Sequence, residues 1–200
     1  MEYPFVKRVM AVLKPPPDMT VSEWADEYRY LSAESSASPG RWRTSTVEYL
    51  REPMDMVGDP AVRRITLMTS AQVGKSSFIE NVIGFFMGHD PCPILHVSPT
   101  IASSEMFSKE RLAPRLRDCP GLRKLVKEAK SRDSGNTIGT KSFPGGTLAL
   151  VGANAPAGLA SRPIRCVLCD EVDRFERSAG TEGDPINLAV KRTTPHRNRL

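Results

Sequence analysis

Residues 69–76, Thr-Ser-Ala-Gln-Val-Gly-Lys-Ser, have the residue types and the spacing of a phosphate-binding loop. They lie between an apolar segment predicted as a strand, residues 64–69, and a segment predicted as a helix, residues 76–87. In such a unit, backbone N–H groups face a phosphate, Lys75 reaches the β- and γ-phosphates, and the Ser76 hydroxyl ligates Mg²⁺. Thr69 stands where the G-x-x-x-x-G-K-[ST] pattern has its first glycine. An ordinary strand-to-helix turn is the alternative interpretation.

Two adjacent carboxylates, Asp170 and Glu171, follow the apolar segment 164–169, which is predicted as a short strand. At the end of such a strand, Asp170 is placed to hold the Mg²⁺ shell through water, and Glu171 to polarise an attacking water. A strand followed by a solvated acidic turn is the alternative. The presence of both motifs in one alternating strand–helix pattern favours a nucleotide site.

The cysteines and histidines do not predict a metal centre. Cys166 and Cys169 have a C-x-x-C spacing, but on a strand residues i and i+3 point to opposite faces, and no second cysteine pair completes a site. We expect them to be core cysteines in a reducing compartment. The three histidines, His89, His96 and His196, are isolated, so core, loop or surface roles are expected.

The net charge of +5 is concentrated in one segment of the chain. Residues 109–132 contain nine basic and three acidic side chains, a net charge of +6, and the remaining chain is close to neutral. Such a segment is suited to phosphate contact, and Arg123, Lys124 and Lys127 are its candidate DNA contacts. A contact with a neighbouring subunit and a solvated helix face are the alternatives.

The remaining pattern predicts an α/β protein with a parallel sheet and buried strands. Its 200 residues, 40% hydrophobic and 26% charged, fit a globular chain rather than a disordered one. No stretch has the composition of a signal peptide or a membrane-spanning helix, so no membrane association is expected. The predicted helices are residues 21–30, 46–56, 76–87 and 103–116; the predicted strands are 64–69, 93–98 and 164–169, with a hairpin formed by 134–143 and 147–151.

Several ordered blocks of the sequence resemble large terminase subunits of the lambda-type GpA family. The blocks are residues 22–29, 39–42, 49–55, 70–76, 152–156, 170–174 and 191–193. The resemblance implies a P-loop NTPase of RecA-like (ASCE) type with a three-layer parallel sheet. It divides the chain into an N-terminal arm and helix, residues 1–45, and an ATPase domain, residues 46–200.

The resemblance also implies a set of site residues and partners. The nucleotide-binding residues would be Tyr49, Ser70, Ala71, Gln72, Val73, Gly74, Lys75, Ser76 and Ser77. Tyr49 would contact the adenine, Ser76 and Asp170 the metal, and Lys75 and Glu171 would be catalytic. The cofactors would be ATP and Mg²⁺. The partners would be double-stranded DNA, a terminase small subunit, the portal or procapsid and further copies of the chain, in the bacterial host cytoplasm.

Two departures from the family pattern affect these expectations. Ala71 and Gln72 stand where relatives often carry a loop arginine, so an arginine finger would come from Arg162 or from a neighbouring subunit. The chain also stops before the coupling motif and the nuclease domain that follow in the family. We therefore expect a carboxyl-terminally truncated ATPase domain without nuclease activity.

The leading hypothesis is an ATP-hydrolysing motor domain that drives DNA into a procapsid. The alternative is an inactive prophage-derived fragment that acts at most as a nucleotide-binding, DNA-binding or interaction module. A DNA helicase shares the ATP motifs but not the blocks between residues 22 and 55.

Overall fold

The computed structural model describes residues 18–34, 36, 38–126, 135–160, 162–196 and 200. The first half of the chain contains α1 (Val21–Tyr28), β1 (Tyr30–Leu31), β2 (Gly40–Arg41), a 3₁₀ helix (Thr44–Leu50), α2 (Arg51–Asp55), a second 3₁₀ helix (Met56–Gly58), α3 (Lys75–Gly88) and β3 (Ile94–Ser98). The second half contains α4 (Ile101–Met106), a π-helical segment (Phe107–Leu112), α5 (Ala113–Asp118), α6 (Pro120–Arg123), β4 (Thr140–Phe143), β5 (Gly146–Gly152), α7 (Pro156–Ala160), β6 (Cys166–Cys169), a third 3₁₀ helix (Val172–Arg174) and α8 (Pro185–Lys191).

The principal sheet has four strands in the order β4-β5-β3-β6. β3 runs parallel to both β5 and β6, whereas β4 is antiparallel to β5 and forms the predicted hairpin with it. Every residue of β3 is buried, as expected of a central parallel strand covered on both faces. The predicted α/β class with a parallel sheet is confirmed, with β4 as its antiparallel strand.

Helices cover both faces of this sheet. The side chains along each strand alternate between the two cores that these helices enclose. On one face, Ile94 and Cys166 pack in a cluster with α1 and α3. On the other face, Leu95 and Val97 pack with residues of α7 and α8. Since β3, β5 and β6 are parallel, their carboxyl ends share one edge of the sheet, and α4 and Asp170 follow β3 and β6 at that edge.

The predicted N-terminal helix is α1, two residues shorter than expected. Its capping box is present: the Glu23 N–H donates to the Thr20 hydroxyl, and the Thr20 N–H donates to the Glu23 carboxylate. Trp24 packs directly on Gly84 of α3, where any Cβ would overlap the indole ring. α1 and Trp42 thereby share the core of α3, and the boundary between residues 45 and 46 stays a prediction.

The predicted strand at residues 64–69 is not part of the sheet. Ile65 and Leu67 are half-buried against the core, and Arg64, Thr66 and Met68 are exposed, so the alternation expected of a strand is present. This segment has no ladder partner among the described residues. The outer edge of β6 is instead met by Leu200, whose N–H donates to the Arg165 carbonyl and whose carbonyl accepts from the Val167 N–H. Residues 64–69 thus keep the alternating burial of a strand but do not pair with β6, whose outer side is bonded to Leu200.

Candidate nucleotide-binding site

The loop of residues 69–74 is exposed or half-buried and turns into α3 at Lys75. Gln72 has a φ of 59° and Gly74 a φ of 86°, both in the left-handed region. A left-handed residue outside glycine is strained and is often found at a ligand-binding turn. The N-cap residue of α3 is Gly74, which has no side chain that could cap the helix. The first N–H groups of α3 therefore have no capping side chain from this position.

The 3₁₀ helix Thr44–Leu50 supports this loop from one side. The Tyr49 hydroxyl donates to the Val73 carbonyl at 3.0 Å, and 58% of the Tyr49 residue is exposed. Leu50 is buried, and a Cβ on Gly74 would lie 3.1 Å from its Cδ1. The structure thus brings Tyr49 to the loop through a hydrogen bond to the backbone, with its ring beside the loop.

The acidic pair lies at the carboxyl end of β6, where the Asp170 N–H donates to the Val97 carbonyl at 3.0 Å. Burial raises the pKa of the half-buried Asp170, and the charge of Glu171 raises it further, whereas a backbone hydrogen bond and the charges of Lys75 and Arg111 oppose the rise. Asp90, just after α3, accepts from Arg165 Nη1 at the amino end of β6 at 2.9 Å. The opposite end of α3, with Lys75 and the loop, therefore lies toward the carboxyl edge of the sheet, where Asp170 follows β6.

Glu171 adopts a left-handed conformation, with a φ of 52°. Its carboxylate accepts from Arg174 Nη1 at 2.7 Å, and the side chains of this pair are exposed. The carboxylate predicted to polarise the attacking water is thus engaged in an ion pair that the sequence did not predict.

A buried ionic cluster lies directly behind the first turns of α3. Glu80 accepts from Arg29 Nη2 at 2.8 Å and also from Arg115. The Arg29 guanidinium donates to the Ser77 carbonyl at 3.1 Å and stacks 4.1 Å from the centre of the Trp42 ring. Burial lowers the pKa of Arg29, the charge of Arg115 lowers it further, and Glu80 opposes both.

This cluster was not predicted, because the sequence around Arg29 and Glu80 indicates two separate helices, of which residues 76–87 are apolar, and does not show that they meet. It also determines the surroundings of Ser77, one of the residues predicted to bind nucleotide. The Ser77 hydroxyl accepts from Arg29 Nη2 at 3.3 Å, so its side chain is engaged in the cluster.

In the described part of the basic segment, residues 109–126, the basic side chains do not form one continuous face. Arg115 is buried in the cluster with Glu80, Arg117 pairs with Glu34 and Asp118, and Lys109 pairs with Glu105. Arg123 and Lys124 are exposed at the end of α6. Lys127 lies outside the described residues.

Arg162 precedes β6 and is therefore at the amino end of that strand, whereas Asp170 and Glu171 follow its carboxyl end. The neighbouring Arg165 N–H donates to the Pro93 carbonyl, at the amino end of β3. The structure thus does not bring Arg162 together with the loop of residues 69–74 within one chain.

Cys92, Cys119 and Cys166 are buried and Cys169 is half-buried, as expected of core cysteines. All four cysteines are free, and burial raises the pKa of Cys169 to about 11 and of Cys92 to about 12. His96 is buried in β3 and stacked 4.1 Å from Phe107, where burial lowers its pKa to about 3. Among the described residues, no group of three or more histidine, cysteine or acidic side chains could hold a metal ion.

A cavity of about 480 Å³ lies between the far end of α3 and the amino end of β6. Phe85, His89, Arg165 and Leu200 contribute to its lining, and none of the predicted site residues does. The candidate site is instead an open surface at the other end of α3, consistent with a ligand held by loop backbone. Within the described residues, no helix has the length and apolar character needed to cross a membrane.

Comparison with known proteins gives a consistent picture of what this chain is similar to. Residues 36–200 match the family model for the phage terminase large subunit gpA, ATPase domain. The chain is 30% identical over 178 residues to the terminase large subunit of Enterobacteria phage P21, covering 88% of this chain and 27% of that protein. It is 30% identical over 189 residues to the terminase large subunit of Escherichia phage lambda, covering 94% of this chain and 29% of that protein. No solved structure matches it.

Proposed function

This chain belongs to the phage terminase large subunit gpA family and matches its ATPase domain, and on that premise we propose that it binds and hydrolyses ATP as the motor domain of a DNA-packaging terminase. The observation that carries the proposal is the meeting of two motifs at one sheet edge. The left-handed loop ending at Gly74 leads Lys75 into α3, and the charge of Lys75 acts on Asp170 at the end of β6. A P-loop NTPase of RecA-like type has such a phosphate-binding loop before a helix and such a carboxylate at the end of a sheet strand.

In this proposal the loop binds the phosphate chain of ATP. The N–H groups of residues 70–77 that face the loop donate to the phosphates, and the Lys75 ammonium offsets their charge. Tyr49 borders the loop with an exposed ring, which supports its assignment to the adenine. The cluster around Arg29 fixes the first turn of α3 from behind and so holds these donors in place.

The oxygen donors fit a magnesium ion. The Ser76 hydroxyl and the half-buried Asp170 carboxylate are hard ligands on two elements that meet at the loop, and Mg²⁺ typically takes one or two such groups together with substrate phosphates and water. When bound, the ion would neutralise charge on the β- and γ-phosphates. Glu171 would accept a hydrogen bond from the attacking water and orient it toward the γ-phosphate.

The wider role follows from the family and goes beyond the residues of this chain, which spans less than a third of the length of the two relatives above. We propose that ATP hydrolysis is coupled to translocation of double-stranded DNA in the host cytoplasm. The other partners would be a terminase small subunit, the portal of the procapsid and further copies of the chain in a ring. Arg162, at the opposite edge of the sheet, would act as an arginine finger only toward a neighbouring copy.

Isothermal titration of ATP in the presence of Mg²⁺ tests the nucleotide site. The wild-type chain should bind ATP, and Lys75→Ala should reduce the affinity by at least about tenfold through loss of a charge-assisted contact. Lys191→Ala, which removes an exposed lysine on α8 across the sheet, is the matched control and should bind as wild type. Failure of the wild-type chain to bind, or equal binding by Lys75→Ala, would contradict the proposal.

A second candidate function is nucleotide binding without turnover, and the ion pair between Glu171 and Arg174 favours it because it engages the carboxylate needed for hydrolysis. Phosphate release measured with and without DNA separates the two. If Glu171 orients the water, Glu171→Gln should retain ATP binding and lose hydrolysis by a factor of about 10² or more. Binding with no phosphate release from the wild-type chain would favour the second candidate.

A further inference from the structure

The helical stretch α4–π–α5 runs in the same direction as α3 and packs beside it. Arg115 donates to the carboxylate and, at 2.8 Å, to the backbone carbonyl of Glu80. Farther along both segments, a Cβ on Gly88 would lie 3.4 Å from Leu122 Cδ2. Leu122 lies on α6, which follows α5 after the extended residue Cys119. The chain from Arg115 to Leu122 thus runs beside α3 from Glu80 to Gly88 in the same direction, so the residues before Arg115 lie toward the beginning of α3.

This register places Arg111 beside the beginning of α3. Arg111 lies at the end of the π-helical segment, four residues and so about one turn before Arg115 along this stretch. Ser76 and Ser77, near the beginning of α3, lie about one turn before Glu80. The charge of Arg111 acts on Asp170, at the carboxyl end of β6, and on Arg29, behind the first turns of α3.

Arg111 is also the basic side chain of this helical stretch whose charge has no counterion. Lys109 pairs with Glu105, Arg115 with Glu80, and Arg117 with Asp118. Arg111 is exposed and has neither an ion pair nor a hydrogen bond among the described residues. The charges of Lys75 and Arg111 both act on Asp170, and Glu171 is already paired with Arg174. These three cations exceed the two carboxylates, which favours binding of an anion at this edge.

We propose that Arg111 binds the phosphate chain of the nucleotide from the side of Asp170, in the same chain that supplies the loop. The proposal rests on the proposed ATP site. A guanidinium presents several N–H donors in a planar fork that suits phosphate oxygens, and it stays charged at every relevant pH. Neither Ala71 nor Gln72 of the loop carries a charge, so Arg111 would supply the positive charge that the loop lacks.

Equilibrium binding of a fluorescent ATP analogue in Mg²⁺, read as a dissociation constant, tests the proposal on the 200-residue chain. Arg111→Gln should weaken binding by about tenfold or more, the loss expected for one charge-assisted hydrogen bond. Arg111→Lys should recover part of the affinity. Lys109→Gln removes the same charge two residues away on the other side of the helix and should bind as wild type. Because Arg111 is exposed, all three variants should keep the wild-type melting temperature.

Two outcomes would overturn the proposal. Equal affinity of Arg111→Gln and Lys109→Gln would show that Arg111 does not meet the phosphates, and if Lys75→Ala still lost binding, the ATP site itself would stand. A flattened salt dependence of DNA binding in Arg111→Gln, with unchanged ATP affinity, would assign the side chain to DNA instead. Absence of ATP binding by the wild-type chain would identify failure of the proposed function rather than of Arg111 alone.

Discussion

Gly74 meets two structural demands at the position where the loop becomes a helix. Its φ of 86° lies in the left-handed region, and its Cα faces the buried Leu50. Residues with a Cβ enter this region at a cost of roughly 1–2 kcal/mol. A glycine there lets the chain turn so that the first N–H groups of α3 point toward the loop.

We expect Gly74→Ala to lower the free energy of unfolding by about 1–2 kcal/mol, from backbone strain and from the new contact with Leu50. It should also weaken ATP binding, because the loop would relax away from the left-handed turn. Urea denaturation measures the first effect and titration the second. Gly58→Ala is the matched control, since no atom lies within 4 Å of a Cβ built there; its stability should be unchanged or slightly raised. Equal stability of the two variants would contradict the strain assigned to Gly74.

The residue types predict the chemistry of this candidate site but not its full surroundings. Lys75, Ser76 and Asp170 were predicted as site residues because phosphate and Mg²⁺ require an ammonium, a hydroxyl and a carboxylate at such positions, and these roles stay predictions. The pairing of Glu171 with Arg174 depends on a left-handed φ, which a glutamate does not signal. The placement of Arg111 depends on the register between two helices far apart in sequence, so only the structure could provide it.

At the scale of elements, the cluster of Arg29, Glu80 and Arg115 joins three segments: the end of α1, the middle of α3 and the beginning of α5. Two guanidinium groups share one carboxylate, and all three side chains are less than a tenth exposed. Removing one partner of a buried ion pair leaves an uncompensated charge in a poorly solvated place. Loss of the Glu80 carboxylate would therefore leave both arginines without a counterion.

Glu80→Gln should destabilise the protein by about 3–5 kcal/mol, because two buried arginines would lose their counterion. Thermal and chemical denaturation monitored by circular dichroism measure this loss. Arg117→Gln is the control on the same helical stretch, since Arg117 pairs with Glu34 and Asp118 at the surface, and its stability should change little. A Glu80→Gln protein as stable as Arg117→Gln would show that the cluster does not hold these elements together.

The elements with strong local patterns were predicted well. The helices α1 and α3 and the strands β3 and β5 lie within two residues of the predicted bounds, whereas β4 begins six residues later than predicted. The π-helical segment was not predicted. Pro114 lacks an N–H and crowds the carbonyl of Glu110, and the π turn of Phe107–Leu112 lies where that contact would fall. The segment of residues 64–69 shows the opposite case, in which the local pattern was correct but pairing depended on a distant edge.

At the scale of the whole molecule, the formal charge of residues 109–126, the described part of the basic segment, overstates its free charge. Lys109, Arg115 and Arg117 pair with acidic side chains. Arg111 is the residue that we propose for the nucleotide phosphates. Arg123 and Lys124 are exposed together at the end of α6, so the proposed contact with DNA phosphates depends on these two residues within the described chain.

We expect the double variant Arg123→Gln/Lys124→Gln to reduce the steepness of the salt dependence of DNA binding. Each phosphate contact contributes about 0.9 to the slope of log K against log salt concentration, so the loss of two contacts should lower the slope by about 2. Fluorescence anisotropy with a labelled duplex of random sequence, titrated at several salt concentrations, measures this slope.

The control is Arg41→Gln/Arg117→Gln, which removes two charges already paired at the surface with Glu27, Glu34 and Asp118. If both double variants changed the slope equally, only the net charge of the protein would matter and α6 would not be a DNA contact. A reduced slope confined to the first variant, with ATP affinity unchanged, would place the DNA and the nucleotide on separate surfaces of this domain.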